Sequence, residues 1–145
     1  MNTQEMARDY IKKAKRCLAE ATVAFNEKDY PMAIRRAQES VELSLKAILR
    51  FFSIEYPKTH DVSPALPSLQ THSDIPVWFK DKIQNFIEIS RELSKSRGPA
   101  YYGLETELKP ASEIFDESDA KESLDSAELV FNSCKRVIFE SDSNE

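Results

Sequence analysis

Gly98 and Gly103, the only glycines among 145 residues, bracket the hexapeptide Gly98-Pro99-Ala100-Tyr101-Tyr102-Gly103 directly after Arg97. Glycine tolerates positive φ and close backbone approach, so this window is expected to be non-helical and to present Arg97 and both tyrosines together. A guanidinium offers a planar fork of donors to a phosphate, and a tyrosine ring stacks on a base or donates its hydroxyl. Arg97, Tyr101 and Tyr102 are therefore the candidate ligand-binding residues, and the chemistry they suit is binding of a nucleotide or an RNA phosphate. The competing reading is a helix cap and turn with the tyrosines packed beneath it. Arg91 and Lys95 add positive charge if they share that face.

Other chemistry-bearing groups are sparse. Glu42 and Lys46 form an i, i+4 pair in the favourable order, a surface pair by default and half-buried if it lies near the middle of its helix. His60 and His72 are the only histidines, each near an acid (Asp61, Asp74). Two histidines without a third close ligand make no metal site, and for His60 a capping or packing role is expected. No Ser-His-Asp or Cys-His set can be assembled, so no catalytic residue is assigned and no cofactor is expected. Cys17 and Cys134 are far apart with no CxxC spacing, and both read as core thiols in a reducing, cytoplasmic setting.

The elements that must position these groups follow from periodicity. Apolar or small residues recur every three or four positions in four segments, and no segment sustains a period of two, so the chain reads as all-α. One stripe runs Ala7, Ile11, Ala14, Leu18, Ala21, Phe25. A second helix starts near Tyr30, after a break at Asn26–Pro31 in which Asp29 can cap. It carries two stripes: small residues Ala33, Ala37, Ser40, Ser44 and Ala47, and bulkier Ile34, Val41, Leu45, Ile48 and Phe52. Two such faces imply packing on two sides, one of them against a second subunit. Pro57, Pro64 and Pro67 leave room only for a short helix around Ser63 to Gln70. A third long helix carries Phe79, Ile83, Phe86, Ser90 and Leu93, capped by Ser73 or Asp74. After a break at 97–115 the last opens near Asp116 or Ser118 and repeats the spacing through Ala120, Leu124, Ala127, Phe131, Cys134 and Ile138.

The expected architecture is an antiparallel up-and-down four-helix bundle with one short extra helix, forming a single domain over 1–145, with its core at about 5–140 and a frayed tail at 141–145. At this length one core suffices without disulfides or structural metal. Two glycines disfavour glycine-turned β-sandwiches and phosphate-cradling loops, and neither GxGxxG nor GxxxxGK[ST] occurs. Twenty Lys and Arg against 25 Asp and Glu give a net charge of −5, so nucleic-acid contact would have to be local. Apolar runs fall short of the roughly 20 residues that span a bilayer, and no membrane association is expected.

The stretch from Ala37 to Leu49, AQESVELSLKAIL, resembles the signature helix of the HEPN family. Pro57-Lys58-Thr59-His60-Asp61 resembles that family's Ser/Thr-His-Asp entry to its short helix, and Ser96-Arg97 followed by Tyr101-Tyr102-Gly103 resembles its arginine-then-tyrosine segment. Glu42, Lys46, His60, Gly98 and Gly103 are the motif residues on this reading. The resemblance implies a helical bundle, a homodimer, and pairing with a minimal nucleotidyltransferase in a toxin–antitoxin-like system. It also implies that some relatives are metal-independent endoribonucleases, using an arginine, a polar residue and a histidine after four to six intervening positions. Arg97 matches that pattern, but Gly98 stands at the polar position and residues 102 to 104 read Tyr, Gly, Leu. The reading adopted is a non-catalytic subunit that binds a nucleotide or RNA phosphate, or pairs with a nucleotidyltransferase. The alternatives are a HEPN-type endoribonuclease with a degenerate motif and a ligand-free helical adaptor.

Overall fold

A computed structural model describes residues 2–143. The first helix, α1, spans Thr3–Asn26, with the Asn2 side chain accepting the Glu5 N–H as its cap. Its stripe buries Ala7, Ile11, Ala14 and Ala21. Lys28, at φ 62°, then turns the chain, and Asp29 accepts the Met32 N–H to start α2, Tyr30–Phe51. Pro31 sits in the first turn, where its missing N–H costs nothing.

Helix α2 is the centre of the molecule. Its small stripe, Ala33, Ala37, Ser40, Ser44 and Ala47, is fully buried. Ser40 Oγ donates to the Ala14 carbonyl of α1 at 2.9 Å, so alanines and serines of the two helices meet face to face. Small side chains on both sides let the axes approach closely. The bulkier stripe, with Ile34, Val41, Leu45 and Ile48 also buried, serves the later helices, and α2 packs on α1, α4 and α6. Both stripes are thus covered within one chain, so the two stripes by themselves do not call for a second subunit.

The all-α class holds, but the expected four helices plus one short helix must be corrected to seven helices among the described residues. After α2 comes a 3-10 helix, Ser63–Thr71, started by Asp61 accepting the Ser63 N–H. The expected third helix is divided into α3, Val77–Lys80, and α4, Ile83–Tyr102. At the division the Lys82 N–H bonds to the Phe79 carbonyl, three residues back instead of four, which tightens the turn and re-aims the axis. The stripe survives the break, with Phe79, Ile83, Phe86, Ser90 and Leu93 all buried. One further turn, α5 at Ala111–Ile114, follows Pro110. The last helix, α6, spans Glu117–Ser143, with Asp116 and Asp119 exchanging carboxylate-to-N–H bonds at its start. The expected frayed tail is helical as far as Ser143, and residues 144–145 lie outside the described part.

The window Gly98–Gly103 is also corrected: it is helical through Tyr102, and the break begins at Gly103 rather than at Arg97. A proline ring clashes with the Cβ of the residue before it when that residue is helical, and Gly98 has no Cβ. Gly98-Pro99 therefore passes through the helix where most X-Pro pairs would end it. Gly103 is the true terminus, at φ 72°, and a Cβ there would come within 2.2 Å of the Lys109 carbonyl oxygen. Beyond it, Leu104 and Lys109 exchange both backbone hydrogen bonds across a tight loop. No helix among the described residues is long and apolar enough to cross a membrane.

Candidate functional site

Arg97 turns inward from α4 toward α2. Its Nη1 donates to Gln38 Oε1 at 2.8 Å and lies 3.9 Å from Glu39 Oε2, and the side chain is only 19% exposed. Gln38 Nε2 passes the connection on, donating to Glu42 Oε1 at 3.1 Å. Lys46 Nζ donates to the other Glu42 oxygen at 2.8 Å, and His60 Nδ1 lies 2.9 Å from Glu42 Oε1. Four positions singled out in the sequence, Arg97, Glu42, Lys46 and His60, therefore belong to one polar seam between α2, α4 and the segment entering the 3-10 helix. The seam extends to α1, where Arg36 bonds Glu39 and reaches Glu20 Oε2 at 3.1 Å.

The Glu42–Lys46 pair is well inside the surface, its side chains 15% and 17% exposed. Burial pushes the Glu42 carboxyl upward, but hydrogen bonds from Lys46 and Gln38, the Lys46 charge and the His60 bond together outweigh it, and the net position is below the usual carboxylate range. Asp61 behaves alike. Burial opposes its charge, while the Ser63 N–H, the Ser90 hydroxyl at 2.7 Å and the Arg91 charge hold its carboxyl low. Asp61 thus provides the cap for the 3-10 helix, while the His60 side chain, half exposed, reaches sideways to Glu42. Ser94 Oγ on α4 donates to the His60 carbonyl at 3.2 Å, so the segment is fastened from both sides.

The tyrosines separate from Arg97. Tyr101 lies under Arg35, whose guanidinium carbon is 4.8 Å from the ring centroid and whose Nη1 donates to the Arg97 carbonyl at 3.0 Å. Tyr102 packs edge-on against Tyr101, is 64% exposed, and borders a 410 Å³ cleft with Gly98, Pro99, Gly103, Leu104, Glu105, Thr106 and Glu107. Neither Arg97 nor Tyr101 lines that cleft, and its two carboxylates disfavour a phosphate. His72 packs at a tilt against Phe52, ring centroids 4.6 Å apart, and among the described residues shares no contact with the seam. Cys134 is a core thiol, as expected, and burial pushes it up, whereas Cys17 is only partly buried and is raised by that burial and then by the Glu39 and Glu20 charges.

Gln38 and Arg35 are the residues that sequence reading passed over. Gln38 is 2% exposed and interrupts an otherwise small and apolar flank. The sequence carried a signal for it, since Gln38, Glu42 and Lys46 recur at four-residue spacing and so form one polar ridge.

Comparison with known proteins agrees with this fold. The HEPN domain family matches residues 7–137. The crystal structure of TT1696 from Thermus thermophilus is similar to this chain with a TM-score of 0.72 at 23% identity, over 94% of this chain and 99% of that one. A crystal structure of ST0689, described as an archaeal HEPN homologue, is similar with a TM-score of 0.65 at 26% identity, over 91% and 97% of the two chains. No curated protein matches the sequence.

Proposed function

The chain belongs to the HEPN domain family, and from that premise we propose that it is a non-catalytic helical subunit that acts by binding another chain. The carrying observation is the placement of Arg97, whose guanidinium already donates to Gln38 beside Glu39. That bond and the Glu39 carboxylate turn Nη1 into the interior, at 19% exposure of the side chain, so a phosphate could reach only the donors left at the guanidinium's edge. Pairing with a second copy or with a minimal nucleotidyltransferase, as the family resemblance implies, is therefore the stronger half of the expectation and nucleotide or RNA binding the weaker. Tyr102 supports the same reading, because a phenol is a poor substitute for the imidazole general base that the resemblance implies at that position.

A second reading rests on one specific observation. Glu42 holds His60 by Nδ1, which leaves the other ring nitrogen to exchange a proton on the same seam that holds Arg97. A degenerate HEPN endoribonuclease would use that pair. Incubating single-stranded RNA with the parent protein, His60→Ala and Arg97→Ala, without metal, separates the two. The subunit reading expects no cleavage above background from any of them. Robust cleavage by the parent that both variants abolish overturns it.

A further inference from the structure

The side of α4 opposite the seam is open. In an up-and-down bundle α4 and α6 would be neighbours, yet here they barely touch, because both lean on α2, and α5 packs on α4 and α2. The gap is a groove of about 530 Å³ whose floor includes Ile34 of α2 and Leu93 of α4, with Ile89 and Phe115 half-buried along it. Its rim is acidic on both walls: Glu88 and Glu92 on α4, Asp119 and Glu122 on α6. No lysine or arginine is among the groove's lining residues.

Each wall has its own regularity. Glu88 and Glu92 lie one turn apart, about 6 Å along the axis at 1.5 Å per residue, and Asp119 and Glu122 are similarly spaced. Between the α6 acids and Ile34 lie Ser123 and Ser126, too short to close the gap. Glu92 is engaged only by Lys95 at the exposed edge, and Asp119 caps α6. Glu88 and Glu122 take part in no ion pair among the described residues. Like charges facing each other across an apolar trough repel, and the repulsion is relieved when cations enter between them.

We propose that this α4–α6 groove is a docking site for a basic amphipathic helix of a partner protein, whose apolar stripe lies on the half-buried Ile89 and Phe115, above the buried Ile34 and Leu93, while lysines or arginines on its flanks meet Glu88 and Glu122. The occupant is helical because the trough runs between two helices and lacks one bundle-like neighbour. A helix presenting cations at i and i+4 matches the α4 wall, and one presenting them at i and i+3 the α6 wall. It is basic because every charged lining group is a carboxylate. The proposal rests on the binding-subunit reading and names the surface and the partner chemistry that reading lacks.

The test uses the full chain and a synthetic helical peptide of leucine and lysine in amphipathic register, with a leucine–glutamate peptide of the same pattern as control. Fluorescence anisotropy should show saturable binding of the basic peptide that weakens with added salt, and none of the acidic one. Glu88→Lys with Glu122→Lys should weaken it on the order of tenfold or more, whereas Glu128→Lys, on α6 outside the groove, should leave it unchanged. Ser126→Trp, which fills the trough without altering charge, should also block binding, and circular dichroism verifies that each variant is folded. Failure of the basic peptide to bind, or binding indifferent to the double charge reversal, overturns the proposal. So does displacement of the peptide by spermidine at equal concentration, which would make the groove a small-cation site. RNA cleavage by the parent would instead overturn the subunit reading, so the two failures are distinguishable.

Discussion

The two flanks of α4 carry similar residue types in opposite states. Toward the 3-10 helix and the polar ridge of α2, Arg97, Gln38, Glu42, Lys46 and His60 are joined by hydrogen bonds of 2.8 to 3.1 Å, and each charge meets its complement inside the chain. Toward α6, Glu88 and Glu122 face a half-apolar trough without a countercharge on its walls. The first arrangement holds the fold. The second adds little to the fold and leaves binding capacity unused. On the docking proposal, the exposed, unbalanced flank rather than the buried polar seam is the side that meets a partner.

The largest expected effect tests that division directly. Glu42→Leu leaves Lys46 and Gln38 without their shared acceptor in a mostly buried place and should cost about 3 kcal/mol, lowering Tm on the order of 10 °C. Glu88→Ala on the other flank should stay within about 0.5 kcal/mol of the parent in chemical denaturation. Equal losses from the two would erase the distinction.

A smaller effect sharpens it. Gly103→Ala forces a side chain into backbone at φ 72°, ψ −160°, a region open essentially to glycine alone, and against the Lys109 carbonyl, costing about 1 to 3 kcal/mol from conformation alone. The resulting shift runs into 104–115, so NMR signals of Ile114 and Phe115 beside the groove should move while those of His60 and Ser94 stay in place. Movement on both sides would mean that the flanks are mechanically one unit.

The gentlest test is pH. A carboxyl held below its usual range in the folded state contributes stability that is present above the unfolded value, near 4.3, and is lost as pH falls through the folded value. Glu42→Gln should therefore show its largest Tm deficit at neutral pH, shrinking as the medium is acidified through the carboxylate range. A deficit that grows in acid would show that the seam does not favour the ionised form.

Much of the scaffold was legible because each long helix declares its buried stripe, or in α2 two of them, and Asp29 and Asp116 announce starts where short polar side chains accept orphan N–H groups. The errors came from places where local punctuation misleads. Gly98-Pro99 reads as a stop, yet the missing Cβ of Gly98 is what lets the helix continue. The α3–α4 division leaves the apolar spacing intact, so periodicity alone hides it. At the site, Arg97, Glu42, Lys46 and His60 could be named individually, but their union depends on Gln38, a neutral residue that charge patterns overlook. The groove was invisible for another reason: an absence of packing between α4 and α6 is a property of three-dimensional arrangement and has no residue of its own.

The covering of α2 from both ends of the chain has a consequence for synthesis. Its small flank meets α1, the segment made just before it, whereas Ile34 on the other flank shares its surroundings with α4 and with α6, which begins at Glu117. At roughly 5 to 20 residues per second a ribosome needs several seconds to travel from the end of α2 to the end of α6. Throughout that interval the nascent hairpin of α1 and α2 carries a bare aliphatic stripe, and a chaperone or a waiting partner has that long to find it.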